Sequence, residues 1–124
     1  MISTLTDSQS LRSGCFRLRP MRAAIMEISR KRLGITTVVD EGGRLLGVIS
    51  DGDLRRQLES GADFLDTPAG KIMRGEPKTI TPDALAAEAV ERMERHAITS
   101  LVVVEEGAPV GLVHLHDLLK LGIA

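Results

Sequence analysis

The sequence predicts a mixed α/β (α+β) fold made of two copies of one unit, and three observations support this. Gly47 recurs as Gly111, and Asp53 recurs as Asp117, both at a spacing of 64 residues; a fixed period of this kind indicates duplicated supersecondary structure. Stretches with helical apolar spacing alternate with short β-branched stretches. A length of 124 residues is enough for one ordinary globular core, but each copy alone would bury too little apolar surface to be stable.

The first copy, expected over residues 20–62, is predicted to contain a helix, two strands and a second helix. Apolar residues at helical spacing predict the first helix, β-branched residues predict the strands, and a turn followed by helical spacing predicts the second helix. The predicted elements are a helix over Met21–Arg32 that stops at Gly34, strands at Thr37–Val39 and Leu45–Ile49, and a helix over Asp51–Ser60 that ends at Gly61.

The second copy, expected over residues 71–124, follows a linker over residues 63–70 that contains Pro68 and Gly70. Its elements repeat the same order after a short extended segment. They are the extended segment Lys78–Thr81, a helix with the apolar stripe Leu85, Ala86, Ala89, Val90 and Met93, strands at Leu101–Val104 and Val110–Leu115, and a helix over His116–Leu121. We also expect Met26, Met73 and Met93 to fill the core.

Each copy is therefore expected to be a β-α-β-β-α unit. In this alignment the first copy has two extra residues where its first helix ends, and the second copy has one extra residue in its hairpin. Two such units should pack sheet to sheet with their helices outside. Related units tend to pack about an approximate two-fold axis, which creates paired clefts, so we expect the function in a cleft that occurs twice.

Residues 1–19 differ from the rest of the chain. They are rich in Ser and Thr near the N-terminus and have no apolar period, so an irregular tail is expected. This tail contains Cys15, the single cysteine, which cannot form an internal disulfide. A lone cysteine fits a reducing, cytoplasmic location.

The composition excludes several classes of partner. Basic and acidic residues nearly cancel, at 16 against 17, so no nucleic acid or membrane surface is indicated. Phe16 and Phe64 are the only aromatic residues, whereas proteins that bind single-stranded nucleic acid usually stack bases on aromatic rings. No apolar run approaches the roughly 20 residues that span a bilayer.

Ser50 and Asp53 are the first candidate site residues. Ser50 ends a predicted strand, and Asp53 lies in the first turn of the following helix. A carboxylate accepts two hydrogen bonds at once, which suits the vicinal hydroxyls of a ribose, and a hydroxyl can bond a ribose or phosphate oxygen. The helix N-terminus, with Arg55 and Arg56 one turn further, favours a phosphate. The same spacing also fits a capping box, in which both side chains satisfy only the first helical turn. The two roles can coexist.

In the second copy His114 replaces the serine, while Asp117 is kept. Since histidine is a poor cap, an aspartate kept beside it favours a ligand contact. His114, His116 and Asp117 make a metal site conceivable, but histidines at this spacing more often point into a pocket or to solvent, so we predict no metal. We predict no catalytic residue, because the repeat relates Asp53 and Asp117 as copies rather than as an acid and a base.

Several short motifs stand at corresponding points of the two copies or at the entry of the second. They are Ile72-Met73 followed by Thr79–Asp83, an Ile-Thr pair at the start of each middle strand, and Gly-x-x-Ser/Thr-x-x-Asp at the hairpin exit, present as Gly47–Asp53. Together they resemble a pair of CBS domains (named for cystathionine β-synthase) from about Pro20 onwards. The resemblance implies tandem repeats, a nucleotide ligand such as AMP, ATP or a CMP-sugar, and a homodimer formed by two pairs.

The same resemblance implies which residues surround the ligand. The base would lie against the backbone around Ile35 and Thr36, with Ile35 as an apolar wall, and Ser50 and Asp53 would complete that site. In the second copy the corresponding residues are Ile98, Thr99, His114 and Asp117. No other cofactor is implied.

A closer resemblance is carried by Ile49–Arg56, His96–Ser100 and His114–Lys120. These runs are similar to the C-terminal regulatory part of bacterial arabinose-5-phosphate isomerases, in which a sugar-isomerase domain precedes the CBS pair and supplies a precursor for Kdo and lipopolysaccharide. Nothing in this chain matches the sugar-isomerase domain, so we expect no isomerase chemistry here.

Three functional hypotheses follow. The first is a regulatory, nucleotide-sensing CBS pair. The second is a structural dimerisation module with empty clefts, in which Ser50 and Asp53 act only as caps. The third, an active isomerase, is tested by the conversion of arabinose 5-phosphate to ribulose 5-phosphate, and we expect no activity.

Overall fold

The computed structural model describes residues 14–31 and 34–120, which separate into two compact units, 14–77 and 78–120. Within the described residues, the first unit contains four short strands and three helices. They are β1 (Cys15–Phe16), α1 (Met21–Lys31), β2 (Ile35–Val39), β3 (Leu45–Ser50), α2 (Asp51–Ser60), α3 (Ala69–Ile72) and β4 (Arg74–Gly75).

The strands of the first unit form one sheet in the order β1-β2-β3-β4. β1 runs parallel to β2, while β2 with β3 and β3 with β4 are antiparallel pairs. Helix α1 covers one face of this sheet, because the apolar residues that recur along it at helical spacing are buried against the strands. The buried core of the unit comprises Cys15, Met21, Ala24, Ile28, Val38, Ile49, Phe64 and Ala69.

The second unit repeats this arrangement with a three-stranded sheet in the order β5-β6-β7. Its elements are β5 (Thr79–Ile80), α4 (Ala86–His96), β6 (Ser100–Glu105), β7 (Ala108–His114) and α5 (Leu115–Lys120). The buried core comprises Ile80, Ala84, Ala89, Met93, Leu101, Val103, Val113 and Leu118. The predicted α+β fold, with a strand–helix–strand–strand–helix order in each copy, is confirmed, whereas the pseudo-two-fold packing of the copies stays a prediction.

The strand registers correct the predicted alignment of the two copies. In the first hairpin Ile35 lies opposite Ser50, and in the second Ser100 lies opposite His114. Both α1 and α4 contain 11 residues, and β2 and β6 begin at the same distance after them. The two extra residues expected at the end of the first helix are therefore absent.

The prediction of one extra residue in the second hairpin is also wrong. Five residues separate the paired residues Val39 and Leu45, whereas four separate Val104 and Pro109, so the longer hairpin is the first one. The predicted alignment matched the Ile-Thr pairs by their letters. The structure shows that Ile98-Thr99 precede β6 and do not share the strand positions of Ile35-Thr36.

Regular structure also occurs where an irregular tail and a linker were expected. Cys15–Phe16 form β1, and the chain continues along β2 because the Arg17 N–H donates to the Val39 carbonyl at 2.9 Å. Helix α3 (Ala69–Ile72) begins in the last two residues of the expected linker, and β4 then pairs with β3. The rest of the predicted tail, 1–13, and Leu121, the last residue of the last predicted helix, lie outside the described residues.

Two apolar residues that were expected in the core are exposed. The exposed fraction is 70% for Met26 and 65% for Leu85. Met26 lies one helical turn from Arg22 and from Arg30, on the solvated face of α1. Leu85 precedes α4 and serves as its N-cap residue without a side-chain hydrogen bond. Met93 is buried as predicted.

Candidate ligand-binding sites at the ends of the hairpins

The first candidate site lies where β3 passes directly into α2. Ser50 is the last residue of β3 and the N-cap residue of α2, and Ile35 stands opposite it at the start of β2. The Asp51 N–H donates to the Gly34 carbonyl at 3.0 Å, which fixes the start of the helix against the start of β2. Three predicted site residues, Ile35, Ser50 and Asp53, are thus brought to one end of the sheet.

Ser50 and Asp53 form a complete capping box. The Ser50 N–H donates to Asp53 Oδ2 at 2.8 Å, and the Asp53 N–H donates to Ser50 Oγ at 3.3 Å. The Ser50 hydroxyl lies 3.0 Å from the same Oδ2 and donates to it. Both side chains therefore satisfy backbone groups of the first helical turn, which confirms the capping role.

The other carboxylate oxygen of Asp53 holds two arginines. Arg56, one turn further along α2, donates to Asp53 Oδ1. The Nε of Arg74, from β4, lies 3.2 Å from the same oxygen. The Asp53 side chain is 7% exposed, whereas the Arg56 and Arg74 side chains are 62% and 63% exposed. A buried negative charge is thus bound by two guanidinium groups that extend into solvent.

These contacts set the ionisation of Asp53. Burial alone would raise the pKa of the Asp53 carboxyl. The backbone and side-chain hydrogen bonds from Ser50 oppose burial, as do the positive charge of Arg74 and the bond from Arg56, and the pKa lies below its ordinary value as a result. Asp53 is therefore an anion that the surrounding structure stabilises.

The second candidate site lies at the matching junction of β7 and α5. The Leu115 N–H donates to the Thr99 carbonyl at 2.7 Å, and the His116 N–H donates to His114 Nδ1 at 3.1 Å. The exposed His114 imidazole therefore caps the start of α5, although the sequence suggested a poor cap. Asp117 is half-buried, and no hydrogen-bond or ion-pair partner of its carboxylate is found among the described residues.

The remaining predicted site residues lie at positions that do not correspond between the two copies. Thr36 is fully buried, on the strand face that also carries the core residue Val38, so its side chain is turned away from solvent. Ile98 and Thr99 lie in the loop before β6, and Ile98 packs partly against the core. The residue opposite His114 is Ser100, which sequence reasoning missed. Matching the Ile-Thr pairs hid this residue, because the second hairpin is one residue shorter than the first.

Other groups give no sign of metal binding or nucleophilic chemistry. Within 14–31 and 34–120, no three His, Cys, Asp or Glu side chains are grouped to hold a metal ion. Burial raises the pKa of the Cys15 thiol, which keeps it protonated. None of the helices in the described part of the chain combines the length and apolar character that a bilayer crossing needs.

A cavity of about 280 Å³ lies in the second unit, where β5 ends and the β6–β7 hairpin turns. Its lining residues are Thr81, Pro82, Asp83, Val104, Glu105 and Glu106. Three of these side chains are acidic and disfavour a phosphate, so this cavity is not where we place an anionic ligand.

Comparison with known proteins identifies the repeated unit. The sequence profile of the CBS domain matches residues 19–60 and again residues 69–123. The two matches follow the two copies that the sequence pattern predicts.

Among characterised relatives, the chain is similar to arabinose 5-phosphate isomerase KdsD. It is 44% identical over 104 residues to the Pseudomonas aeruginosa protein, a match that covers 83% of this chain and 32% of the relative. It is 43% identical over 102 residues to the Francisella tularensis protein, with 82% and 31% covered. The chain thus spans about a third of the length of these relatives.

Solved structures share the same fold. The CBS domain protein PAE2072 from Pyrobaculum aerophilum, complexed with AMP, has 27% sequence identity and a TM-score of 0.74. The superposition covers 96% of this chain and 99% of that one.

Proposed function

The chain belongs to the CBS-domain family, and on that premise we propose that it is a regulatory module that binds an adenosine nucleotide. The region that it shares with the isomerases is their CBS region and not their catalytic domain, so the chain is a non-catalytic CBS pair. One observation carries the proposal: Asp53 and Asp117 are each the third residue of the helix that follows a hairpin.

The chemistry of the two junctions supports a nucleoside phosphate as ligand. A carboxylate in the first turn of a helix suits a ribose diol, because its two oxygens accept from adjacent hydroxyls. The N-terminus of α2 and the guanidinium of Arg56 suit the phosphate. The backbone around Ile35 would face the base. The AMP complex of the Pyrobaculum relative supports this choice of ligand.

The regulated partner belongs to the same proposal. Similarity to the isomerases favours a sugar-isomerase domain as the partner that this module regulates. That domain would act in the supply of Kdo for lipopolysaccharide. We further propose a homodimer of CBS pairs and a cytoplasmic location. A ligand that binds one arrangement of the module better than another shifts the population towards it.

Calorimetric titration with AMP tests the ligand, with ATP and a CMP-sugar as parallel probes. We expect AMP to bind, and the double variant Asp53→Asn/Asp117→Asn to bind at least about tenfold more weakly, because charge-assisted hydrogen bonds to the diol are lost. Asp63→Asn, a change at an exposed aspartate outside both junctions, is the matched control. No binding of any probe, or an unchanged affinity in the double variant, would contradict the proposal.

A purely structural dimerisation module is the second candidate. The capping box favours it, because Ser50 and Asp53 already satisfy each other and the first turn of α2. This candidate predicts a stable dimer by sedimentation and no shift of the melting temperature with any of the three probes.

A further inference from the structure

We propose that Arg74 closes the first site when no ligand is bound, and that a nucleotide opens it by displacing this arginine from Asp53. The Arg74 latch is our name for the ion pair between Arg74 Nε and Asp53 Oδ1, which joins β4 to the start of α2. The proposal rests on the proposed function, because the displacing ligand is the nucleotide.

The Asp53 carboxylate is surrounded on both oxygens. A carboxylate offers about four lone-pair sites. In the structure Oδ2 accepts from the backbone N–H and the hydroxyl of Ser50, and Oδ1 accepts from Arg56 and forms an ion pair with Arg74 Nε at 3.2 Å. A ribose diol that takes both acceptor positions of Oδ1 therefore has to displace the arginines.

The arginines are the groups that a ribose diol can displace from Asp53. The two Ser50 contacts belong to the helix cap, and losing them would expose the first turn of α2. Arg56 and Arg74 are long side chains that lie mostly in solvent, where an ion pair contributes little and exchanges readily. A diol thus gains Oδ1 by releasing both arginines while the cap stays intact.

Releasing Arg74 has a consequence that releasing Arg56 does not have. Arg56 stays on α2, the same helix as Asp53. Arg74 belongs to β4, a two-residue strand that pairs with β3 only through Gly47 opposite Gly75 and Val48 opposite Arg74. Without the latch, β4 loses its side-chain link to α2 and keeps its pairing with β3. β4 lies directly before the chain enters the second unit at residue 78.

Ligand binding at Asp53 is therefore coupled to the anchoring of β4. The coupling is reciprocal, because linkage requires that a change which loosens β4 also strengthens ligand binding. The latch thus provides a route by which the first site influences the strand with which the chain leaves the first unit.

Amide hydrogen exchange of the full chain tests the latch without any ligand. We expect Arg74→Ala to speed exchange at the β4 amides about two- to fivefold, the range that follows from a partly exposed ion pair. Arg56→Ala removes the other arginine and is the matched control, with β4 unchanged. Equal exchange at β4 in wild type and Arg74→Ala would overturn the latch.

The second part of the test repeats the hydrogen-exchange measurement with AMP at a concentration that calorimetry shows to be saturating. Bound AMP should speed exchange at β4 in the wild type and give no further increase in Arg74→Ala. AMP that binds while β4 stays equally or better protected overturns the latch and leaves the proposed function standing. If neither AMP nor the parallel probes bind, the proposed function fails, and the exchange of the ligand-free variants still decides whether Arg74 anchors β4.

Discussion

Asp53 is at once a structural anion and a candidate ligand contact, and its surroundings explain how both are feasible. One oxygen belongs to the helix cap and the other to two solvent-exposed arginines. The oxygen in the cap stabilises the first turn of α2, whereas the oxygen that faces the arginines can exchange them for another donor. A capping box therefore does not exclude a binding role.

The lowered pKa of Asp53 makes stability depend on pH. Because the carboxyl is more acidic in the folded chain than in the unfolded chain, its ionised form stabilises the fold. This stabilisation is complete above the ordinary aspartate pKa of about 4 and is lost as the pH falls through the lower folded-state value. Urea unfolding of wild type and Asp53→Asn should show a stability difference that shrinks below about pH 4. A difference independent of pH would contradict this account.

His114 should contribute to stability as a helix cap. Its Nδ1 accepts the His116 N–H at the start of α5, so His114→Ala should cost about 0.5–1 kcal/mol of unfolding free energy. His114→Asn keeps a side-chain acceptor and should therefore retain most of this unfolding free energy. His116→Ala changes an exposed side chain but keeps the backbone donor, and it serves as the control in the same urea titrations. Equal losses in all three variants would show that the imidazole does not cap the helix.

At the scale of elements, Gly47 is the residue that allows β4 to lie on β3. A Cβ at Gly47 would lie 2.5 Å from the Arg74 carbonyl oxygen and 2.7 Å from Met73 Sδ. Gly47→Ala must therefore push β4 away, at a cost of about 1–3 kcal/mol. Gly75, opposite it in register, has open space around its own Cβ position.

Gly75→Ala is accordingly the control in the same thermal and urea unfolding experiments, and it should be close to neutral. Gly47→Ala should also weaken the contact between Arg74 and Asp53, which hydrogen exchange at β4 would report. Equal stability of the two variants would mean that β4 does not pack on Gly47 as described.

Most elements could be predicted from the sequence because their signals are local. Helical apolar spacing in α1, β-branched residues in β2, and Gly61 after α2 each depend on neighbouring residues. β1 and β4 could not be predicted, because each has only two residues and exists through pairing with a distant strand.

The site was predictable to the same extent and for the same reason. Ser50 and Asp53 are close in sequence, so their pairing could be inferred from spacing alone. Arg74 lies 21 positions beyond Asp53 and reaches it only because β4 folds onto β3. Ser100 was missed because matching Ile-Thr pairs by letter hid the shift between β2 and β6.

For the molecule as a whole, the two candidate sites are chemically unequal although the fold duplicates them. Asp53 is occupied by Ser50, Arg56 and Arg74, whereas the Asp117 carboxylate has no such partner in the part of the chain that the structure describes. A ligand at Asp53 would have to break ion pairs, and none of the described residues forms such pairs with Asp117.

We therefore expect AMP to bind in two steps, with the tighter step at Asp117. In calorimetric titrations Asp117→Asn should remove the tighter step and leave the weaker one, and Asp53→Asn should do the reverse. Arg74→Ala should bring the affinities of the two sites closer, because its competing guanidinium group is gone. If Asp53→Asn removed the tighter step instead, occupation of Asp53 by arginine could not be what limits binding at the first site.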